Sequence, residues 1–529
     1  MVAEKAINGM SDAVVDVEPD PQPNLSGSNS SNSVGKFSRK LSNVSNAIQQ
    51  RFNTVREEGN FTLGCSKVFH TRTRFLLMIL VLFCLASIWS NILSFNFALI
   101  CMKQGNGTHP STEFTPQQYS YLTAAVAASA LVSNFVIVSL VNQFGIRTVF
   151  AILGLISAIA TVFMPFALQN TFYYTLGARM LQGVAFAANF PVIGAFTSKW
   201  TYYKQNGLFV SVLVANVQLS PAISMPISGS LCASSLGWPS VFYVHGLASL
   251  VLFTLFAIFY RNSPGKHPFV GAIELRKIAV GKSECSKEEL KRIPYGPILK
   301  TASVWAVWIA ALGNFVAVNM LFLYGPNYLH NVLNFPVRNT GFSASIPPLA
   351  QFLVKLLAGF TSDKIRFLSE TNKLRLYNSI AFFGSAIAFA LLTIMPLSYP
   401  LLCLAFLGIA AGILGFTTGG FFKAGPLVSK HYSHFVTGNV SLGITITMLI
   451  VPFIVGGLAP NETAAEWNNV FLTAAGVLVV CNLIFMVMCS AEPASWTTDE
   501  FSRSASRSRV HATESSTRIS HMQPQMKMG

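Results

Sequence analysis

The sequence predicts an all-α polytopic membrane protein with twelve transmembrane helices in two six-helix, pseudo-symmetric bundles. Three observations predict it. Of 529 residues, 52% are hydrophobic and only 11% charged, against about 25% charged in soluble domains. The apolar residues fall in twelve runs of the length, about 20 residues, that a bilayer requires. The second half of the chain also repeats landmarks of the first.

The runs lie at 75–102, 118–141, 147–168, 172–198, 207–232, 239–260, 302–328, 341–361, 375–396, 400–424, 434–458 and 469–490. Their connections alternate in charge. One set carries Arg147, Lys199 and Lys204, the linker, Lys364, Arg366, Lys373, Arg375 and Lys430; the other is nearly free of basic residues, Lys103 and Arg338 excepted. Basic loops stay in the cytosol, so both termini are expected there. The opposite set holds two glycosylation sequons, at Asn106 and Asn461, which agrees with that orientation.

Residues 1–70 are rich in Ser, Asn and Asp, and are expected to be a disordered cytosolic tail, as are 491–529. The first bundle takes 71–261 and the second 302–490. Between them, 262–301 forms a basic cytosolic linker; with Arg261 it carries nine Lys/Arg against four Glu. The repeat is seen in Trp238-Pro-Ser-Val-Phe242 and Trp467-Asn-Asn-Val-Phe471, 229 residues apart, and in Pro226 and Pro452, 226 apart. Parallel six-helix repeats imply two bundles rocking about a central site. Arg147, Asp363 and Arg366 at the junctions, with Pro226, are the candidate gating residues.

Composition excludes several functions. The net charge of +16 is that of a membrane protein with basic loops, and no nucleic-acid motif accompanies it. The eight cysteines show no CxxC pair or metal-type spacing, most lie in apolar runs as buried thiols, and no metal or cofactor is expected. There is no HExxH and no intramembrane aspartate pair, so the protein is not expected to be an enzyme.

The charge inside the spans points to a ligand instead. No Asp or Glu lies well inside any run, whereas Arg179, Lys355, Lys423 and, as a proton-sensing candidate, His245 do. An intramembrane cation costs at least about 2.5–3.5 kcal/mol, so it usually faces protein or a cavity. Cations without internal carboxylates favour an anionic solute. Arg179 carries the strongest case, because Gln182 and Gly183 share its helical face. Neutral polar residues recur in the odd spans, among them Asn96, Asn314 and Tyr324, which pack helices or line a cavity.

Arg179-Met-Leu-Gln-Gly183, Pro191, Ser198-Lys-Trp200, Met225-Pro226, Gly237-Trp-Pro-Ser-Val-Phe-Tyr-Val244, Ser263-Pro-Gly-Lys-His-Pro268 and Trp467-Asn-Asn-Val-Phe471 make the chain resemble one family over 75–490. It is the anion:cation symporter family of the major facilitator superfamily, which includes vesicular glutamate transporters, sialin and sodium–phosphate cotransporters. The resemblance implies the major facilitator fold and a substrate-binding, coupling role for Arg179. The family's other landmarks differ here. Its first-span arginine is Ser94, its seventh-span arginine falls on Ala317, its fourth-span glutamate is Phe186 and its second-span histidine is Thr123; after Trp200 stand Tyr202, Gln205 and Asn206. A two-arginine clamp on a dicarboxylate is therefore not implied, and coupling through that glutamate cannot operate.

The expected function is secondary active transport of a small organic or inorganic anion by a functional monomer. It is driven by Na⁺, H⁺ or the membrane potential, in a plasma, vesicle or lysosome membrane. Arg179, Lys355, Lys423, Asn96, Asn314 and Tyr324 are the candidate substrate-binding residues. The competing reading is a transporter-shaped receptor or sensor that moves nothing.

Overall fold

The computed structural model describes residues 66–103, 114–202, 205–279, 294–365 and 367–497, all of whose regular structure is helical. Asn106, Lys204, Arg366, most of both tails and part of the linker lie outside the described residues, as does the side chain of Asp363. Twelve helices are long and apolar enough to cross a membrane. They are α1 (Arg72–Met102), α2 (Pro116–Phe144), α3 (Ile146–Asn170), α4 (Phe172–Trp200), α5 (Gly207–Cys232), α6 (Pro239–Phe259), α7 (Ala302–Val332), α8 (Val337–Ser362), α9 (Glu370–Ile394), α10 (Pro400–Ser429), α11 (Phe435–Leu458) and α12 (Ala464–Met488).

Local chemistry sets several of these ends. Thr115 caps α2 and Thr463 caps α12, each in a reciprocal capping box, with Gln118 and Glu466 respectively. Proline begins α2, α6 and α10, where its missing N–H costs nothing. The repeated Trp-x-x-Val-Phe groups lie near the starts of α6 and α12, with Trp238 just before α6 and Trp467 the fourth residue of α12. All six apolar side chains are buried, with Trp238 against Phe242 and Trp467 against Phe471.

The linker lies at the end where α1 begins. Its short helix, Ala272–Ala279, turns the nearly inaccessible Glu274 (1% exposed) onto the first peptide N–H groups of α1. The carboxylate accepts from Thr73 N at 3.2 Å and Arg74 N at 3.0 Å. Those N–H groups have no partner inside their own helix, and a carboxylate there also suits the helix dipole. Beside it, buried His267 stacks edge-on against Trp200 and pairs with the Phe259 carbonyl at 3.0 Å. Arg147 also has a structural job at this end, donating to Ala257 O while its peptide N–H meets Asn262.

At the opposite end Cys101 of α1 and Cys232 of α5 form a disulfide. Two of the cysteines expected to be bland thiols thus make a covalent tie. The remaining described cysteines, Cys84, Cys403, Cys481 and Cys489, are free and buried.

The first six helices meet the last six through α2 on α11 and α5 on α8. Ser120 Oγ donates to Pro452 O at 3.2 Å, and Gln218 Nε2 to Gln351 Oε1 at 2.9 Å. Toward the disulfide end, α5 and α8 touch backbone to backbone. A Cβ on Gly341 would lie 2.5 Å from Met225 O and 2.9 Å from Gly229 Cα. Pro226, a gating candidate, sits within α5 beside this contact.

Two outcomes follow. Gly341→Ala places a methyl against main chain that no rotamer change can move. Spin labels at Leu236 and Phe342 should therefore report a longer and broader α5–α8 separation than in the wild type; identical distance distributions would contradict the contact. Burial, aided by Arg261, lowers the His267 imidazole below its ordinary value. The docked linker thus holds a neutral histidine, and its stabilisation fades as pH falls below about 6.5, where the undocked ring takes a proton first. Protection factors from hydrogen exchange over residues 263–279, each taken against the intrinsic amide rate at its own pH, should be lower at pH 5.5 than at 7.5, and His267→Gln should flatten that difference.

Candidate functional site

Arg179 is the eighth residue of α4, two turns in, and is entirely inaccessible (0% exposed). It can be there because α2 approaches closely at Gly183, one turn on, where any Cβ would collide with Val126 O. That approach brings carbonyl oxygens within reach of the guanidinium. Nε donates to Leu122 O of α2 at 3.2 Å, and Nη1 to Ile92 O of α1 at 3.2 Å and to Gln182 Oε1 at 2.8 Å. The Phe95 ring covers the group, 4.4 Å from Cζ to centroid. Nη2 has no hydrogen-bond partner.

Gln182 carries the arrangement further into the bundle. Its amide donates to Asn91 O and, at 2.8 Å, to Thr161. Asn91 in turn joins Ser157 of α3 and Ser249 of α6. Four helices are therefore fixed around one cation, and none of these partners is a carboxylate. Asn91 and Gln182 are apparent in the sequence as polar residues in apolar runs. Ser157, Thr161 and Ser249 are not, because isolated hydroxyls are common in spans and bond their own helix.

Next to this group, between the two sets of helices on the disulfide side, is a cavity of about 180 Å³. Asn96 and Thr123 line it from α1 and α2, Tyr324 from α7, and Glu462 from the α11–α12 connection. The Tyr324 hydroxyl interacts with Thr123 and is within reach of the charges of Arg179 and Glu462. Here α7 departs from regular geometry, with π-helical turns at Met320–Tyr324 and Tyr328–Val332 flanking Gly325-Pro326-Asn327. Pro326 lacks an N–H and disturbs the ladder. Glu462 adopts a left-handed backbone (φ 55°) and accepts from Asn327 and Asn331.

The sequence-derived candidates divide accordingly. Asn96 and Tyr324 share the cavity, whereas Arg179 and the Phe95 ring over it are not among its lining residues. Lys355 lies half-buried over the Phe422 ring of α10, 5.5 Å away. Asn314 is buried with its Oδ1 unpartnered. Lys423 goes elsewhere: its Nζ bonds Ser362 at 3.3 Å and pairs with Glu370 at 3.9 Å, near the linker end. Glu370 also pairs with Lys373, so this lysine belongs to a charged group of side chains and lies apart from the cavity's lining residues. His245 is buried on α6 with Nδ1 on Val241 O at 2.8 Å and Nε2 unpartnered. At Asn461, the amide that a glycan would occupy donates to Glu466 at 2.9 Å.

This arrangement of twelve helices matches known proteins. Residues 75–423 fit the family model of the Major Facilitator Superfamily. The chain belongs to that superfamily. Human sialin is 29% identical over 66% of this chain and 70% of its own length. A putative inorganic phosphate cotransporter of Drosophila melanogaster is 27% identical over 69% and 71%, and vesicular glutamate transporter 3 of Danio rerio 24% over 68% and 62%. These are the relatives that the residue resemblance names. Among solved structures, a bacterial homolog of the lysosomal transporter Spinster, inward-facing and occupied, aligns with a TM-score of 0.58 at 13% identity, over 78% of this chain and 96% of its own. A mutant of the nucleoside transporter NupG gives 0.54 at 16%, over 79% and 99%. The chain is thus a transporter-family membrane protein.

The carbonyl-held arginine has a stability consequence. Arg179→Met takes the donor from the buried Gln182 amide oxygen, at about 1–3 kcal/mol, and removes the second donor of the Ile92 and Leu122 carbonyls, which keep their intrahelical bonds. Arg179→Lys keeps the charge but cannot span α1 and α2 with a planar fork. Both should lower the thermal midpoint of the detergent-solubilised protein, the Met variant more. Lys355→Met, which orphans no carbonyl, should lower it less than either.

Proposed function

We propose that the protein is a secondary active transporter that moves a small organic or inorganic anion by alternating access, driven by a Na⁺ or H⁺ gradient or by the membrane potential. The observation that carries this reading is Arg179, a desolvated guanidinium at the junction of α1, α2 and α4 with one N–H group still unpaired and no acid beside it. Half-buried Lys355 adds a second positive charge without a carboxylate partner among its contacts. The named activities of two relatives, glutamate and phosphate transport, fit the same sign of solute.

In this reading the contacts from Ser120–Pro452 to Gly229–Gly341 close the disulfide end. Access would alternate when they part and the linker end closes. The helix breaks support motion there: α4 is interrupted at Ala187–Ala188, and α10 at Gly415–Gly420. Interruptions at matching positions of two repeats characterise transporter sites. We place both termini in the cytosol, in a plasma, vesicle or lysosome membrane. The Cys101–Cys232 bond supports that orientation, since disulfides persist on oxidising faces.

Uptake into vesicles containing the purified protein tests the reading. Labelled phosphate, glutamate, sialate, urate and aromatic organic anions would be offered under imposed Na⁺, pH and voltage gradients. Gradient-dependent accumulation of at least one anion is expected; each charge crossing 100 mV supplies about 2.3 kcal/mol. Saturable binding without accumulation would replace the transporter by the receptor reading. If Arg179→Ala accumulated the anion like wild type, the binding role of Arg179 would be wrong.

A further inference from the structure

The linker helix Ala272–Ala279 has two unlike sides. Glu274 and Ile278, one turn apart, are buried, and Glu274 is turned onto the first peptide N–H groups of α1. The other side carries Ile273 and Lys277, also one turn apart and both exposed, Ile273 at 63%. The loop leading into the helix adds exposed Lys266 and Phe269, the latter at 44%. Exposed Arg72 stands next to Thr73, whose hydroxyl donates to Phe269 O at 2.8 Å. Glu274 is the one acid in the sequence from 263 to 279, so the outer side is basic and apolar with no acid of its own.

The position of this side matters as much as its composition. Glu274 meets α1 at its first turn, and His267 meets Trp200, the last residue of α4. The same ring pairs with the carbonyl of Phe259, the last residue of α6. The linker therefore lies at the level where three spans leave the hydrocarbon, which is the headgroup layer. Ile258 and Phe259 at that end of α6 are themselves exposed, and the His267 ring joins them to Phe269, 5.8 Å away. A helix that presents large apolar and basic side chains together at this depth has the composition of one lying in a membrane interface.

We propose that the outer side of the linker docks onto anionic phospholipid headgroups of the leaflet at its own end of the molecule. Arg72, Lys266 and Lys277 meet the headgroup oxygens, and Phe269 and Ile273 enter the apolar layer just beneath. Charge complementarity decides the occupant, because an anionic leaflet attracts basic segments at its surface and a neutral one does not. The same short helix carries Glu274 on its inner side, so bound lipid holds the linker against α1, α4 and α6. Anionic lipid is thus a ligand that stabilises the docked linker, at a site apart from the cavity. The proposal does not rest on the transport reading.

Hydrogen exchange at a single pH tests it, on the full-length protein in nanodiscs of phosphatidylcholine alone or with about 30% phosphatidylserine. Protection over residues 263–279 is expected to be several-fold higher with the anionic lipid. The gain should shrink in high salt, which screens exposed charges. Lys266→Gln/Lys277→Gln should remove most of the gain and Ile273→Asn part of it, at positions that are all exposed. Equal protection of the wild type in the two nanodiscs overturns the proposal and leaves this side to solvent or to another part of the chain. A gain unmoved by salt, or kept in full by the double variant, overturns it as well. So does a gain reproduced in phosphatidylcholine by soluble glycerophosphoserine, which would make the ligand a free anion rather than a lipid.

Discussion

A guanidinium removed from water must be repaid in hydrogen bonds, and the first six helices are arranged around that requirement at Arg179. Its donors reach α1 and α2, while Gln182 extends the connection to α3 and, through Asn91, to α6. Helices in lipid gain little from burying apolar surface against each other, so polar ties and close backbone approach decide which faces meet. Gly183 supplies the approach and Arg179 the tie. In the structure the arginine is thus both a rigid joint and a reserve of positive charge, with Phe95 as a cover. A solute competing for the guanidinium has to displace carbonyl partners or use the one N–H group they leave. Differential binding between conformations has its physical basis there.

Much of the fold is legible in the sequence because a bilayer imposes length and polarity so strictly. The twelve runs match the twelve helices, with errors at polar ends. The chain before 341 and before 469 reads as loop, yet α8 begins at Val337 and α12 at Ala464. Val337-Arg-Asn-Thr340 and Glu466 are too polar for a hydropathy window. They are nonetheless helical: the Thr463–Glu466 capping box suits the exposed first turn of α12, and Pro336 leads into α8 without a side-chain cap. The span ending near 424 runs on to Ser429 through Pro426, since packing outweighs one lost hydrogen bond.

The site is legible where cost reveals a residue and hidden where only the fold brings partners together. Arg179 stands out because nothing cheap explains it. Lys423 does not, because a shallow lysine looks the same facing a cavity or facing Glu370, which lies 53 residues earlier in the chain. Glu462 reads as a loop acid, and its clamp comes from Asn327 and Asn331, more than 130 residues away. The cysteine pair gives no signal either, since each thiol sits in an apolar run that says nothing of its partner.

That pair bears on how the molecule is made. Cys101 leaves the membrane at the end of α1, and Cys232 arrives there only after α5 has crossed, 131 residues later. At about 5–20 residues per second of synthesis, the first thiol waits on the order of ten seconds for the second. A chain that lost or gained one crossing in that interval would deliver Cys232 to the wrong side of the membrane, and the bond could not form. The disulfide therefore bears on assembly: its closure requires that the four crossings between the two thiols, α2 to α5, have kept the right parity.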